Sequence, residues 1–187
     1  MVKRLPNELV DVVKDIIHKT TSDSNVAGNE LREAHYQLGE MLGNYIEHEE
    51  LNTNNKVLVI IKMRSGLMFG LGLADEIESK NHRVHIVFDT NSVIKNSIDT
   101  YDRIILVDGV INSGRSIVED LNTLNNPKVL VATNVISSQA VDLFLNHIIY
   151  AVRQSEKHFV GTDKKIVSGN QGPDTSERLF RSDFFVE

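Results

Sequence analysis

At 187 residues the chain is sized for one domain, and its formal net charge of −6 argues against a broad nucleic-acid-binding surface. It has no cysteine, so a disulfide scaffold, a zinc–cysteine site and a thiol nucleophile are excluded. The opening MVKRLPNELV lacks a signal-like apolar run, and no stretch approaches the roughly 18 apolar residues of a membrane span. A cytoplasmic protein without a membrane partner is expected.

With no Trp and 6% aromatics, the core should be aliphatic. Leu9, Val12, Val13, Ile16 and Ile17 recur at helical spacing over 7–19, after the start signal Pro6–Asn7. A polar loop over 20–29 leads to a second helix carrying Leu31, Leu38, Met41, Leu42, Tyr45 and Ile46. The rhythm then changes. VLVII (57–61) is a continuous β-branched run suited to a strand buried on both faces. A helix over LMFGLGLADEIESK follows, then strands over 83–88 and 103–107 and a helix over 116–124. A strand over 128–135, a helix over AVDLFLNH and a strand over 147–152 complete the series. This alternation predicts an α/β fold, a parallel sheet flanked by helices. The expected layout is a single domain over 1–187: N-terminal helices in 1–50, the core sheet in 56–152 and a C-terminal extension in 153–187.

Ligands of open parallel sheets sit at the carboxyl ends of the strands, which singles out MRSGLMFG and DGVINSGRS. DGVINS superficially fits an aspartyl phosphatase loop. That chemistry needs a nucleophilic acid two residues before Asp108, and Leu106 stands there. The alternative is a phosphate cradle. Asn112, Ser113, Gly114, Arg115 and Ser116 lie where a loop turns into a helix, whose first N–H groups are free to meet an anion. Asp108 is an acceptor suited to sugar hydroxyls, and its spacing from the cradle has the size of a ribose 5-phosphate. From the residues alone, Asp108 and Ser113 serve equally well as caps of the next helix. Arg64, two strands from Asp108, points to a phosphate over a plain solvated turn, and Lys62 equally suits a phosphate or a surface position.

RIILVDGVINSGRS resembles the phosphoribosyl diphosphate (PRPP) motif of the type I phosphoribosyltransferases. That motif is an apolar strand, one or two acids, two apolar residues and a Thr/Ser-Gly-x-Thr/Ser turn. The single acid followed by Gly109 is closest to the uracil phosphoribosyltransferase branch, where Pro follows the acid. LREAHYQLGEMLGNYIEHE (31–49), IIKMRSGLMFG (60–70) and IVSGNQGPDTSERLF (166–180) are similar to that branch in the same order.

The resemblance implies transfer of phosphoribose from PRPP to a pyrimidine base, uracil first, giving UMP and diphosphate with Mg2+ as cofactor. Asp108, Gly109 and residues 112–116 would bind PRPP. Arg64 with the backbone N–H groups of Ser65 and Gly66 would bind diphosphate, and Val167, Ser168 and Gly169 would bind the base. Asp108, Arg64 and Asp174 would be catalytic. Asp174 would hold magnesium through water or take a proton, with Glu177 as the family's second acid; DTSE is also a capping signal. The resemblance further implies a homodimer, with small-molecule substrates and no nucleic acid as partner. Three departures stand out: only DTNSVIKNSIDTYD replaces the branch's long β-arm, the base stretch is about two residues longer, and Asn112 and Arg115 replace small residues. They leave open a non-catalytic module that senses PRPP or a nucleotide, or a phosphoribosyltransferase for another base.

Overall fold

The computed structural model describes residues 1–21, 24–90, 98–156 and 174–181. In chain order the elements are β1 (Val2–Arg4), α1 (Asn7–Val12), α2 (Lys14–Thr20), α3 (Asn29–Glu50), β2 (Lys56–Ile61) and α4 (Leu67–Ser79). Then come β3 (Arg83–Val87), β4 (Arg103–Ile111), α5 (Arg115–Leu124) and β5 (Val129–Ser137). A 3-10 helix (Ser138–Phe144), β6 (Ile148–Ser155) and α6 (Thr175–Phe180) complete the chain.

The six strands form one sheet in the order β1-β6-β5-β4-β2-β3. Every pairing is parallel. The continuous Val/Ile runs are explained by burial on both faces. Val57, Val59, Ile61, Ile105 and Val107 meet Leu38, Leu42, Phe69 and Leu73 of α3 and α4. Leu58, Ile60, Ile104 and Leu106 face Ile117 and Leu121 of α5 and Phe144 of the 3-10 helix. Burying each such side chain contributes on the order of 2 kcal/mol, before the entropy of ordering it.

α3 and α4 approach until their backbones touch. A Cβ on Gly39 would overlap the carbonyl of Phe69, and one on Gly72 the carbonyl of Tyr36. At the amino edge of the sheet, Glu50 gathers Lys3 Nζ (3.0 Å), the Tyr150 hydroxyl (2.5 Å) and Arg103 (3.1 Å). Arg103 also donates to the Glu50 carbonyl at 3.3 Å.

Five expectations change. The segment 1–50 is more than helices, because Val2–Arg4 pairs with β6 as an edge strand; three residues are too few to show a period. The helix expected over 7–19 breaks at Val13, a buried residue between α1 and α2. The strand expected over 103–107 runs to Ile111, because β5 also continues and pairs Val110 with Val135 and Ile111 with Ile136. The helix expected over 140–147 is a 3-10 helix over 138–144. The last strand extends to Ser155, three residues beyond the boundary drawn at 152, by pairing with Ser137.

Candidate active site at the carboxyl edge of the sheet

Asp108 lies inside β4, beside Thr133 of β5. It is 9% exposed. Its carboxylate accepts the Ser65 hydroxyl at 2.5 Å and, at 3.4 Å, the N–H of Val110. Burial pushes its pKa up to about 6. The bond from Ser65, the N–H groups of Val110 and Gly109 and the Lys62 charge oppose that rise without cancelling it. A carboxylate in this state favours the company of hydroxyl donors or a cation.

The loop 62–66 is laid against β4. Lys62 N–H donates to the Val107 carbonyl at 2.8 Å, fixing the loop's start. A Cβ on Gly109 would overlap the Ser65 carbonyl oxygen and lie 2.7 Å from its carbon. That contact explains why glycine follows the acid: any side chain there would lift the loop off the strand. We expect Gly109→Ala to cost about 1–3 kcal/mol and to weaken inorganic diphosphate binding. Denaturant midpoints and a diphosphate titration check this, and an unchanged midpoint would refute the packing argument.

The other expected diphosphate contacts divide. Arg64 is exposed and open to a ligand. Gly66, expected to offer its N–H, already donates it to the Lys62 carbonyl at 3.1 Å, because the loop closes as a turn ahead of α4. Ser65 contributes its hydroxyl, which is committed to Asp108. Lys62 turns to Asp120 of α5, whose other oxygen accepts the Thr90 hydroxyl at 2.7 Å. These three side chains line a cleft of about 340 Å3, with Met63 and Phe88 exposed beside it. Asp120 and Thr90 escaped the sequence reading. Asp120 sits in an ordinary amphipathic helix, and no local pattern ties it to Lys62.

The cradle begins where β4 ends. Gly114 has φ +72°, a left-handed conformation that lets the chain enter α5. Val118 N–H is the donor to the Gly114 carbonyl, so the N–H groups before it stand at the open helix start. Ser113, Arg115 and Ser116 are exposed around it, and Asn112 is half-buried. The structure therefore brings Asp108, Ser65 and the cradle to one stretch of the carboxyl edge.

It does not bring Asp174 there by any hydrogen bond among the described residues. Asp174 caps α6, in a reciprocal capping box with Glu177, whose carboxylate accepts the Asp174 N–H at 3.0 Å. Helix α6 is fastened to the N-terminal loop: Gly28 N–H donates to the Arg178 carbonyl at 2.8 Å, and Arg32 to that of Leu179 at 2.7 Å. Val167, Ser168 and Gly169 lie outside the described residues. Among the described residues no cluster of three or more His, Asp or Glu could hold a metal, and no helix is long and apolar enough to cross a membrane.

No family model matches the chain, and no curated protein matches it. Among solved structures, it is similar to the HGPRT-ase of Leishmania tarentolae in complex with GMP: 13% identity, 67% of this chain and 79% of that one, TM-score 0.47. It is similar to the xanthine-guanine-hypoxanthine phosphoribosyltransferase of Helicobacter pylori: 17% identity, 68% and 84% covered, TM-score 0.44. A hypoxanthine-guanine-xanthine phosphoribosyltransferase is similar over 83% of this chain and 94% of its own, at 11% identity and TM-score 0.49. At such identities and scores these likenesses decide neither base nor activity, which must be argued from the chain's own residues.

Proposed function

We propose that the protein is a phosphoribosyltransferase that joins the phosphoribosyl group of PRPP to a pyrimidine base, uracil first, releasing diphosphate. The observation that carries this is Asp108. A buried carboxylate at the carboxyl edge takes a hydrogen bond from the loop after β2, and six residues later, at Gly114, the chain leaving its own strand opens into an exposed helix start.

In this reading the ribose hydroxyls donate to Asp108, and the 5-phosphate rests on the start of α5 with Ser113, Ser116 and Arg115 around it. Arg64 meets the diphosphate, for which its planar fork of donors is suited. The C1–oxygen bond to diphosphate breaks, a C1–nitrogen bond to the base forms, and the proton of that nitrogen leaves with diphosphate or to water. The chain's task is positioning and charge stabilisation. Magnesium retains waters and takes one or two carboxylates plus substrate phosphates, so it needs no protein cluster. Asp108, raised to about 6, fits that limited role. When bound, the ion neutralises charge on the departing diphosphate.

A second reading, a non-catalytic sensor of PRPP or a nucleotide, is favoured by Asp174. Its carboxylate serves the α6 capping box. The cytoplasmic location and the homodimer belong to the same proposal as the enzyme.

Calorimetric titration of PRPP, with and without Mg2+, tests the common part. Saturable binding that tightens with Mg2+ is expected, and no binding in either condition would overturn both readings. Diphosphate release over a panel of pyrimidine and purine bases then separates them. Release with uracil establishes the enzyme, release with another base alone corrects the substrate, and binding without release leaves the sensor.

A further inference from the structure

PRPP is charged at two ends, a diphosphate on C1 and a phosphate on C5. In the reading proposed above these ends fall to different elements: the diphosphate to the loop 62–66, the phosphate to the start of α5. One molecule satisfies both only if the spacing between them is held. The Ser65 hydroxyl ties the loop to Asp108 of β4, but that bond does not reach α5.

Asp120 makes that connection. It lies in α5 four residues after Ser116, so the two stand one turn apart on the same side of the helix. Its neighbours Ile117 and Leu121 are buried in the core, which leaves α5 little freedom to turn. One carboxylate oxygen of Asp120 accepts from Lys62 Nζ, and the other accepts the Thr90 hydroxyl at 2.7 Å. Lys62 opens the diphosphate loop, two residues before Arg64, and Thr90 lies three residues past the end of β3. A single carboxylate thus gathers the exits of β2 and β3 onto the helix that carries the cradle. Lys62 is held from two sides, because its main-chain N–H donates to the Val107 carbonyl of β4 at 2.8 Å while its ammonium is fixed on α5. The side chains of Lys62 and Asp120 are only 26% and 14% exposed, so salt screens the pair less than it would a surface ion pair.

We propose that Asp120 is a positioning residue: acting through Lys62 and Thr90, it sets the separation of the diphosphate loop and the phosphate cradle, and itself touches neither end of the ligand. This role rests on the PRPP reading. The test is an NMR titration of the 15N-labelled full chain, followed at the Gly66 and Gly114 amides, with PRPP, inorganic diphosphate and ribose 5-phosphate in separate arms. Asp120→Asn keeps the shape of the side chain and an acceptor for Thr90, and removes the charge that holds Lys62. It should weaken PRPP about tenfold or more, while each half-ligand binds no worse than to wild type. Charge alone predicts the opposite sign for PRPP, since removing an acid near the site favours an anion. Lys62→Met keeps the stem and removes the ammonium, and the double variant should lose no more PRPP affinity than the weaker-binding single variant. Unchanged or tighter PRPP binding in Asp120→Asn overturns the proposal. So does a loss shared equally by all three ligands, which would mark a general loosening of the fold. A diphosphate affinity that falls as far as that of PRPP would make the pair part of the diphosphate site alone, and overturns it too. Wild type that binds no PRPP brings down the parent reading, and this role with it.

Discussion

Asp108→Asn should make the protein more stable at neutral pH while removing most of its PRPP binding. The folded state raises Asp108 from the ordinary 3.8 to about 6, through burial. A folded chain that binds this proton more tightly than the unfolded chain is favoured by it fully below about pH 4. The advantage is lost as pH rises through about 6. Above that, the buried charge costs on the order of 3 kcal/mol relative to a neutral group, and asparagine removes most of that cost. An increase in Tm of about 5 °C at pH 7.5, vanishing toward pH 4, is the expected result of paired thermal melts. PRPP affinity should fall by about a hundredfold, because the acceptor for the ribose hydroxyls loses its charge. An amide that melts no higher than wild type at pH 7.5 would show that Asp108 is solvated more fully than its burial implies. Unchanged PRPP affinity or turnover would remove it from the site.

Arg178→Ala should have the largest effect on stability of any change outside the central sheet. The guanidinium is 4% exposed and sits among acceptors of the 19–26 stretch. It donates to the carbonyls of Thr21 (2.9 Å), Val26 (2.8 and 3.1 Å) and Lys19 (3.4 Å) and to the Ser24 hydroxyl (2.9 Å). Burial lowers its pKa, yet an arginine stays charged, and this charge is also favoured beside the carboxyl end of α2. Alanine strands those carbonyls away from donors. We expect a loss of about 3 kcal/mol or more, and a Tm lower by about 8 °C. Hydrogen exchange at Gly28, whose N–H donates to the Arg178 carbonyl, should accelerate in parallel. A loss under about 1 kcal/mol, with Gly28 still protected, would mean that α6 docks by its apolar side alone. Arg178→Lys should recover only part of the loss, since an ammonium cannot fork among several carbonyls.

The sequence carried the sheet because its strands are long, β-branched and buried on both faces. It also carried the place of the cradle, because glycine and small polar residues between a strand and a helix leave few alternatives. What stayed hidden was non-local. Nothing near Lys62 announces Asp120, which is 58 residues away along the chain. Nothing in DGV shows that Gly109 is required by the Ser65 carbonyl, a contact made only when two loops meet. The 3-10 helix over Ser138–Phe144 has the composition of an α-helix, and tertiary packing of Ala140 and Phe144 decides its form. The capping reading of Asp174 is legible in DTSE, whereas the acid–metal reading rests on the family resemblance alone; local sequence could not choose between them.

The contact between α3 and α4 has a bearing on how this protein tolerates inherited change. Gly39 and Gly72 hold two main chains together with no side chain between them, and α4 begins directly after the loop that carries Arg64 and Ser65. A side chain there has no rotamer by which to step aside. It must move the helix, and the loop with it. Misplacement by about an ångström can cost a hundredfold in rate. Variation that silences the site therefore need not fall on any polar residue: two glycines on the buried side of a helix pair, remote from every group that touches a ligand, are as constrained as Asp108 itself.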